Sequence, residues 1–487
     1  MNTLNLADGY KVDHRSQYPV NTEMVYSNWT PRNSRIEGVD KVMFFGLQYF
    51  IKQYLQDDFD RNFFSKPKDM VVHEYKRRIE SYLGKGKITY KHIEELHSLG
   101  YLPVEIKALP EGTLVPLRTP MLTIKNTDSK FFWVTNFLET ILSCILWMPC
   151  TSATISLQYR KILDKYALKT GGDISAVQFQ AHDFSFRGMA GLEAAMMSGA
   201  AHLLNFSGTD TIPAIDFLET YYNANSDREL IGASVPATEH SVMCMGTEND
   251  ELGTFKRLIT DVYPEGIVSI VSDTWDFWKV ITEYLPALKE SVIKRDGKVV
   301  IRPDSGDPVK IICGDSNAEY GSPEYKGAVE CLYEIFGGDI TEKGYRLLDS
   351  HIGLIYGDSI TIERCKEICE RLKNKGFAST NVVFGIGSYT YQYVTRDTFG
   401  FAIKATYGKV NGNGREIYKD PKTDNGVKRS AKGLLTLFKN SNGDIVLNDM
   451  VNEEKEREGL LKTVYINGKL LSEDSLSNIR KRITENI

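Results

Sequence analysis

The sequence has no HExxH helix, no GxxxxGK[ST] loop and no GxSxG turn, which sets aside the zinc metalloproteases, the P-loop NTPases and the α/β-hydrolases. It has no CxxC pair either, and its seven cysteines are an odd number, so a disulfide framework is unexpected and a reducing compartment is implied. Cys365 and Cys369 stand four apart on a helical pattern, but no His or second Cys pair accompanies them, and core packing is the expectation. Excess positive charge is also missing. A net charge of -5 provides no field for a nucleic-acid partner. The first 19 residues carry no apolar core of the length a signal peptide needs. The longest greasy stretch, residues 131–148, is broken by Asn136 and Glu139 and reads as a core helix, not a membrane span. Internal repeats, heptads and low-complexity segments are absent, so the expected protein is cytoplasmic and globular.

What is present is regular. The chain's 487 residues, 42% hydrophobic and 25% charged, suffice for a barrel with a companion domain. Between about 177 and 390, seven short apolar runs end in a polar residue or glycine: 177–183, 202–210, 231–240, 267–273, 299–304, 352–358 and 382–388. Continuous apolar runs suit strands buried on both faces of a parallel sheet. The segments 189–204, 252–262, 277–292, 327–336 and 361–375 repeat their apolar residues at helical spacing. Seven strand–helix units in succession favour a (β/α) barrel over an open sheet. The flanks differ. Residues 1–150 mix short strands (104–109, 122–125) with helices, and the tail from 400 shows alternating runs with turns at 411–414 and 440–443. The expected organisation is an α/β barrel domain at 151–390, with 1–150 plus 391–487 forming one α+β companion domain.

In a (β/α) barrel the active site lies at the carboxyl ends of the strands. Those ends carry His182-Asp183, Asp210, Glu239-His240, Asp273, Arg302-Pro-Asp304, Gly357-Asp358 and Gly385-Ile-Gly387-Ser388. One strand-terminal Asp is usually a helix cap, but a succession of them describes a polar ring. The glycine turn after the last strand suits a phosphate held on backbone N–H groups. Imidazole at His240 could serve as base, metal ligand or phosphoryl acceptor. Asp273, Asp304 and Asp358 are oxygen ligands of the kind Mg²⁺ prefers, although the sequence does not say which of them would hold a metal.

Asp8-Gly-Tyr10-Lys-Val-Asp-His14-Arg-Ser-Gln17-Tyr-Pro19, Phe45-Gly-Leu-Gln-Tyr49, Pro110-Glu-Gly112, His182-Asp-Phe-Ser-Phe-Arg-Gly188, Gly208-Thr-Asp-Thr211 and Ser234-Val-Pro-Ala-Thr-Glu-His-Ser241 resemble the motifs of the nicotinamide phosphoribosyltransferase family. So do Val271-Ser-Asp273, Ile301-Arg-Pro-Asp-Ser-Gly306, Gly357-Asp358, Thr395-Arg-Asp397 and Lys428-Arg-Ser430, in the same order nearly end to end. The resemblance implies the type II phosphoribosyltransferase fold, an irregular (β/α) barrel with an α+β companion, assembled as a homodimer with shared sites. It implies nicotinamide and phosphoribosyl pyrophosphate as substrates in NAD salvage, with Mg²⁺ and ATP as cofactors.

By the same resemblance, Phe184 and a second copy's Tyr10 would sandwich the nicotinamide ring, and Asp210 would accept from its carboxamide. Arg187 and Arg302 would fix the ring and nearby phosphate. Asp304, Gly357 and Asp358 would hold the ribose hydroxyls, and Gly387 and Ser388 the 5′-phosphate. Arg32, Arg396, Lys404 and Lys419, with Lys428 and Arg429 as additions, would neutralise pyrophosphate. His240 would be phosphorylated by ATP, with Asp273 orienting it. Two positions depart from the family pattern: Ser388 stands for a second glycine, which puts the phosphate loop's conformation in question, and Gly9 stands for a serine. The competing readings are a nicotinate phosphoribosyltransferase, a phosphate-binding barrel lyase or isomerase, and a non-catalytic dimer on the same scaffold.

Overall fold

The computed structural model describes residues 1–419 and 430–485. Lys428 and Arg429 lie outside the described residues. Two compact units emerge: Met1–Thr154 with Leu218–Ala224 and Val394–Ile487, and Ile155–Phe217 with Asn225–Tyr393.

The first unit is built on a seven-stranded antiparallel sheet. Its order runs Asn413–Glu416, Ala402–Val410, Thr22–Thr30, Leu122–Asn126, Val104–Ala108, Lys462–Ile466, Lys469–Leu470, so strands from both chain ends share one sheet. A register shift, with Tyr26 opposite Tyr407 but Ser27 opposite Ala405, resets the alternation along Ala402–Val410, so Ile403 before it and Val410 after it are both buried. Trp29 is fully buried and stacks on Phe401, with centroids 4.4 Å apart. Asn411 and Gly412, both at positive φ, turn the chain between Ala402–Val410 and Asn413–Glu416, and the loop 440–443 joins Leu434–Lys439 to Ile445–Val451.

The second unit is an all-parallel sheet ordered Gly208–Thr209, Ala181–Asp183, Val382–Ile386, Ile352–Tyr356, Asp296–Arg302, Glu265–Val271. The segment around 231–240 joins the two edges through single parallel bridges, Gly208 to Ala233 and Ala237 to Ser269. The circuit therefore closes in chain order, as an irregular barrel. Several expected boundaries need correction. Residues 174–179 form a 3₁₀ helix, so the first strand shrinks to Ala181–Asp183. His202 closes the helix Leu192–His202, where its ring meets Tyr391 Oη at 2.7 Å and the Gly208 carbonyl at 3.1 Å, so no strand begins there. The 231–240 run is no ladder either, because Pro236 has no N–H to give; its carbonyl accepts from Ser269 instead, at 2.9 Å.

Helices follow the strands: Leu285–Ile293, Ala328–Phe336 and Ile362–Asn374 among them. The last buries Cys365 and Cys369 on its inner face. The apolar stretch at 131–148 enters the helix Glu139–Thr170, whose most hydrophobic window has mean hydropathy 1.5 and is 78% buried, as a core helix should be.

In the first unit, Lys107 Nζ lies 2.7 Å from Glu456 Oε2, and both side chains are buried. Removing one partner strands the other's charge in the core. Glu456→Leu should therefore lower the unfolding free energy by about 3 kcal/mol, read from the urea midpoint. Adding Lys107→Met in the same chain should recover most of the loss.

Candidate active site

Helix caps explain little of the polar ring at the barrel mouth. The capping side chains are Asp276, Asp307 and Thr361, each accepting from N–H groups of the helix it starts. The strand-end residues Asp210, Asp273, Asp304 and Asp358 face other partners.

Phe184 follows the strand Ala181–Asp183 and donates its N–H to the Ile386 carbonyl at 2.9 Å, which sets it across the neighbouring strand end. Its ring occupies the space a side chain on Gly385 would need: a Cβ there would stand 2.5 Å from Phe184 Cδ2 and 3.0 Å from Gly357 Cα. A Cβ on Gly357 would in turn run into Asp304 Oδ1. Two glycines thus let Phe184 and Asp304 lie over adjacent strand ends.

On one side of Phe184, the His182 ring sits 4.9 Å away, centroid to centroid. His182 Nε2 meets Asp210 Oδ1 at 2.8 Å, and the Ser234 hydroxyl donates to the same oxygen at 2.7 Å. Burial alone pushes the Asp210 carboxyl up, but the bond and charge of His182, the Ser234 hydroxyl and the Arg302 guanidinium outweigh it and hold Asp210 below the usual carboxylate range. It is a carboxylate throughout the neutral range. On the other side, Asp273 Oδ2 accepts from the Asp304 N–H at 2.8 Å and from Ser305 at 2.6 Å. Burial raises the Asp304 pKa, Arg302 opposes that rise, and Asp273 and Asp358 add to it. His240 Nδ1 shares a hydrogen bond with Thr274 Oγ1 at 3.1 Å, and its Nε2 is 3.9 Å from Asp273 Oδ1. The hydrogen bond to the imidazole comes from Thr274; Asp273 stands at ion-pair range.

Arg302 Nη2 donates to the Thr238 carbonyl at 2.7 Å. Arg187 is exposed in the turn Phe186–Gly188. Gly387 precedes the short helix Ser388–Tyr391, and Ser388 packs where Gly188 lacks a side chain. Ser388 is not among the residues with positive φ, so serine fits this turn without strain. Asp358 accepts from Ser359, which holds φ +57°. Buried polar atoms left without a hydrogen-bond partner among the described residues include Asp273 Oδ1 and Arg302 Nε, both at these strand ends. Asp273 Oδ1 and Arg302 Nε have polar capacity to spare for a ligand.

The first unit holds a second cluster. Arg32, Lys404 and Arg118 line one cavity with Asn28, Thr30 and Ser430. Burial first, then the charges of Arg32, Lys419 and Lys11, depress the Lys404 pKa, against Glu139, which raises it. Arg396 is apart from this lining and pairs with its neighbour Asp397 at 3.2 Å. Tyr10 is 62% exposed, in the turn Gly9–Lys11. Arg118, Thr274 and the His182–Asp210–Ser234 triangle escaped the sequence reading. His182 and Asp210 are among the strand-end residues and Ser234 opens a family motif, but their contact with one another carries no sequence signal.

Residues 179–469 match the nicotinate phosphoribosyltransferase (NAPRTase) family, and 2–106 match the nicotinamide phosphoribosyltransferase N-terminal domain. A curated nicotinamide phosphoribosyltransferase of Acinetobacter baylyi is 53% identical, covering 100% of this chain and 98% of its own. The chain belongs to the nicotinamide phosphoribosyltransferase family. The enzyme of that name from Xanthomonas campestris is 34% identical over 98% of this chain and 97% of its own. Two solved structures share the fold. Nicotinate-nucleotide pyrophosphorylase from Pyrococcus furiosus has a TM-score of 0.61 at 16% identity, covering 100% of this chain and 95% of its own. Human nicotinic acid phosphoribosyltransferase scores 0.53 at 14%, covering 98% and 93%. This is the type II phosphoribosyltransferase architecture.

Because the groups on Asp210 lower its pKa, Ser234→Ala and His182→Ala should each raise it, a shift readable by carboxyl ¹³C NMR titration. Gly385→Ala should displace the Phe184 ring and cost up to roughly 100-fold in kcat/KM, with the unfolding midpoint of the protein little changed.

Proposed function

We propose that the protein joins nicotinamide to C1 of phosphoribosyl pyrophosphate, giving nicotinamide mononucleotide and pyrophosphate in NAD salvage. The observation that carries this reading is Asp210, an ionised carboxylate bonded to the His182 ring that neighbours Phe184. It can accept from a carboxamide N–H₂, and it repels the like charge of nicotinate. The names of the full-length relatives support the same substrate.

Phe184 stacks on one face of the pyridine ring, and the exposed Tyr10 of a second copy closes the other, which makes the working form a homodimer. Arg187 and Arg302 steady the ring and nearby phosphate. Asp304, Gly357 and Asp358 hold the ribose hydroxyls, and Gly387 and Ser388 receive the 5′-phosphate. The pyridine nitrogen attacks C1 while the bond from C1 to the pyrophosphate oxygen breaks; no proton moves, and the electron pair leaves with pyrophosphate. Arg32, Lys404 and Lys419, with Arg396, neutralise that leaving charge, so the protein's work is alignment and electrostatics.

Among the described residues no group of three or more His, Cys, Asp or Glu is arranged to hold a metal. Mg²⁺ would be bound through one or two carboxylates, its remaining ligands being substrate phosphates and water. The raised pKa of Asp304 and the orphaned Asp273 Oδ1 fit such a cation, which would supply charge neutralisation on pyrophosphate. His240, half exposed and held through Nδ1 by Thr274, is the acceptor of the γ-phosphoryl group of ATP in this reading, with Asp273 stabilising the charged ring. The seven cysteines are all free thiols, which suits the cytoplasm.

Incubating the protein and Mg²⁺ with phosphoribosyl pyrophosphate and either nicotinamide or nicotinate, with and without ATP, should give mainly the amide mononucleotide by mass. ATP should lower the KM for nicotinamide, and His240→Ala should abolish that effect. Asp210→Asn should reduce discrimination against nicotinate by at least about tenfold, or about 1.4 kcal/mol. Equal use of both bases by the unaltered protein would make it a nicotinate enzyme.

A further inference from the structure

We propose that Arg118 is a further pyrophosphate-binding residue, joining Arg32 and Lys404 in the cavity of the first unit. The inference rests on the reading that this cavity receives pyrophosphate, and it adds a residue that neither sequence motif nor strand-end position singles out.

The first ground is charge. Arg32, Arg118 and Lys404 line the cavity, and among the described residues no carboxylate lines it with them. The floor is made by the paired strands Thr22–Thr30 and Ala402–Val410, whose Asn28 stands opposite Lys404. Among the described residues the Arg118 guanidinium has no hydrogen bond or ion pair, so its donors are open to a ligand. Three cations lining one cavity favour a polyanion there, and a guanidinium presents its N–H groups in the fork that suits phosphate oxygens.

The second ground is the backbone. Arg118 holds φ +66°. It is the third residue of a turn closed by the Thr119 N–H on the Pro116 carbonyl at 3.2 Å, and its own N–H donates to the Pro31 carbonyl at 2.6 Å. A turn position with positive φ favours glycine or asparagine, because a Cβ is crowded there. An arginine at such a position is locally unfavourable, and the side chain it brings to the cavity is the one gain visible in the structure.

The two grounds make a paired test on the full-length protein. Calorimetric titration with magnesium pyrophosphate would be run on the unaltered protein, Arg32→Ala, Arg118→Gly and Arg118→Asn, each with its thermal midpoint. Glycine and asparagine both suit the turn, so neither should lower the midpoint, and glycine should hold or raise it. Both should weaken pyrophosphate binding by about tenfold or more, with nicotinamide KM unchanged and a shallower salt dependence. Arg118→Lys should recover part of the affinity. Arg118→Gly and Arg118→Asn binding as tightly as the unaltered protein, while Arg32→Ala binds weakly, would overturn the role of Arg118 alone. Loss in the glycine variant only would also overturn it, because the cause would then be loop freedom. An unaltered protein that binds no pyrophosphate overturns this proposal and the reading of the cavity together.

Discussion

Barrel closure is the constraint on which the mouth depends. A parallel sheet of six strands has two open edges, and here a single segment, 231–240, joins them through one bridge at Ala233 and one at Ala237. Pro236 between them forbids a continuous ladder, so the segment touches each edge briefly and leaves at both ends with side chains free. Ser234 thereby reaches Asp210 on one edge, and His240 reaches Thr274 beyond the other. A regular strand would have committed its whole backbone to pairing. The irregularity is what lets one segment reach both Asp210 and Thr274 at once.

Legibility followed the same division. Strands buried on both faces announce themselves as apolar runs, so the order of the barrel and the residues at its carboxyl ends were readable from Val268, Ile301, Leu354 and Phe384 and their neighbours. The exact strand lengths were not. Residues 202–207 look like a strand because Leu203, Leu204 and Phe206 are apolar, yet the His202 ring bonds ahead to Gly208 and keeps the chain turning. Apolar content reports burial; it does not distinguish a ladder from a packed turn. Side-chain triangles such as His182–Asp210–Ser234 are invisible for another reason. Their members come from three different strand ends, and only the closed sheet brings them into register.

The carboxylates of the mouth illustrate why a list of strand-end residues underdetermines a site. Asp210 and Asp304 are of one residue type at equivalent ends, but their environments move them apart: His182, Ser234 and Arg302 outweigh burial on Asp210, whereas on Asp304 burial, joined by Asp273 and Asp358, outweighs Arg302. One is therefore a fixed anion suited to a neutral amide. The other gains most when a cation arrives. In the proposed reaction that difference separates recognition of the base from handling of the phosphorylated sugar, and neighbours contributed by other strands sharpen it.

Departures from local preference sort themselves by what they accomplish. Ser388 replaces a glycine of the family pattern without strain, since its backbone is ordinary and Gly188 leaves room for its hydroxyl. Arg118 and Ser359 do the reverse, holding positive φ with a Cβ present, and each sits beside charged groups assigned to substrate. Local rules are expected to bend where function outweighs stability and to hold elsewhere. A substitution in a conserved-looking motif can thus be structurally neutral, while the informative anomaly lies in a turn that no motif covers. Positive φ alone marks nothing, since Thr247 and Met450 hold it too; at Arg118 it coincides with an open guanidinium in a cavity that Arg32 and Lys404 also line.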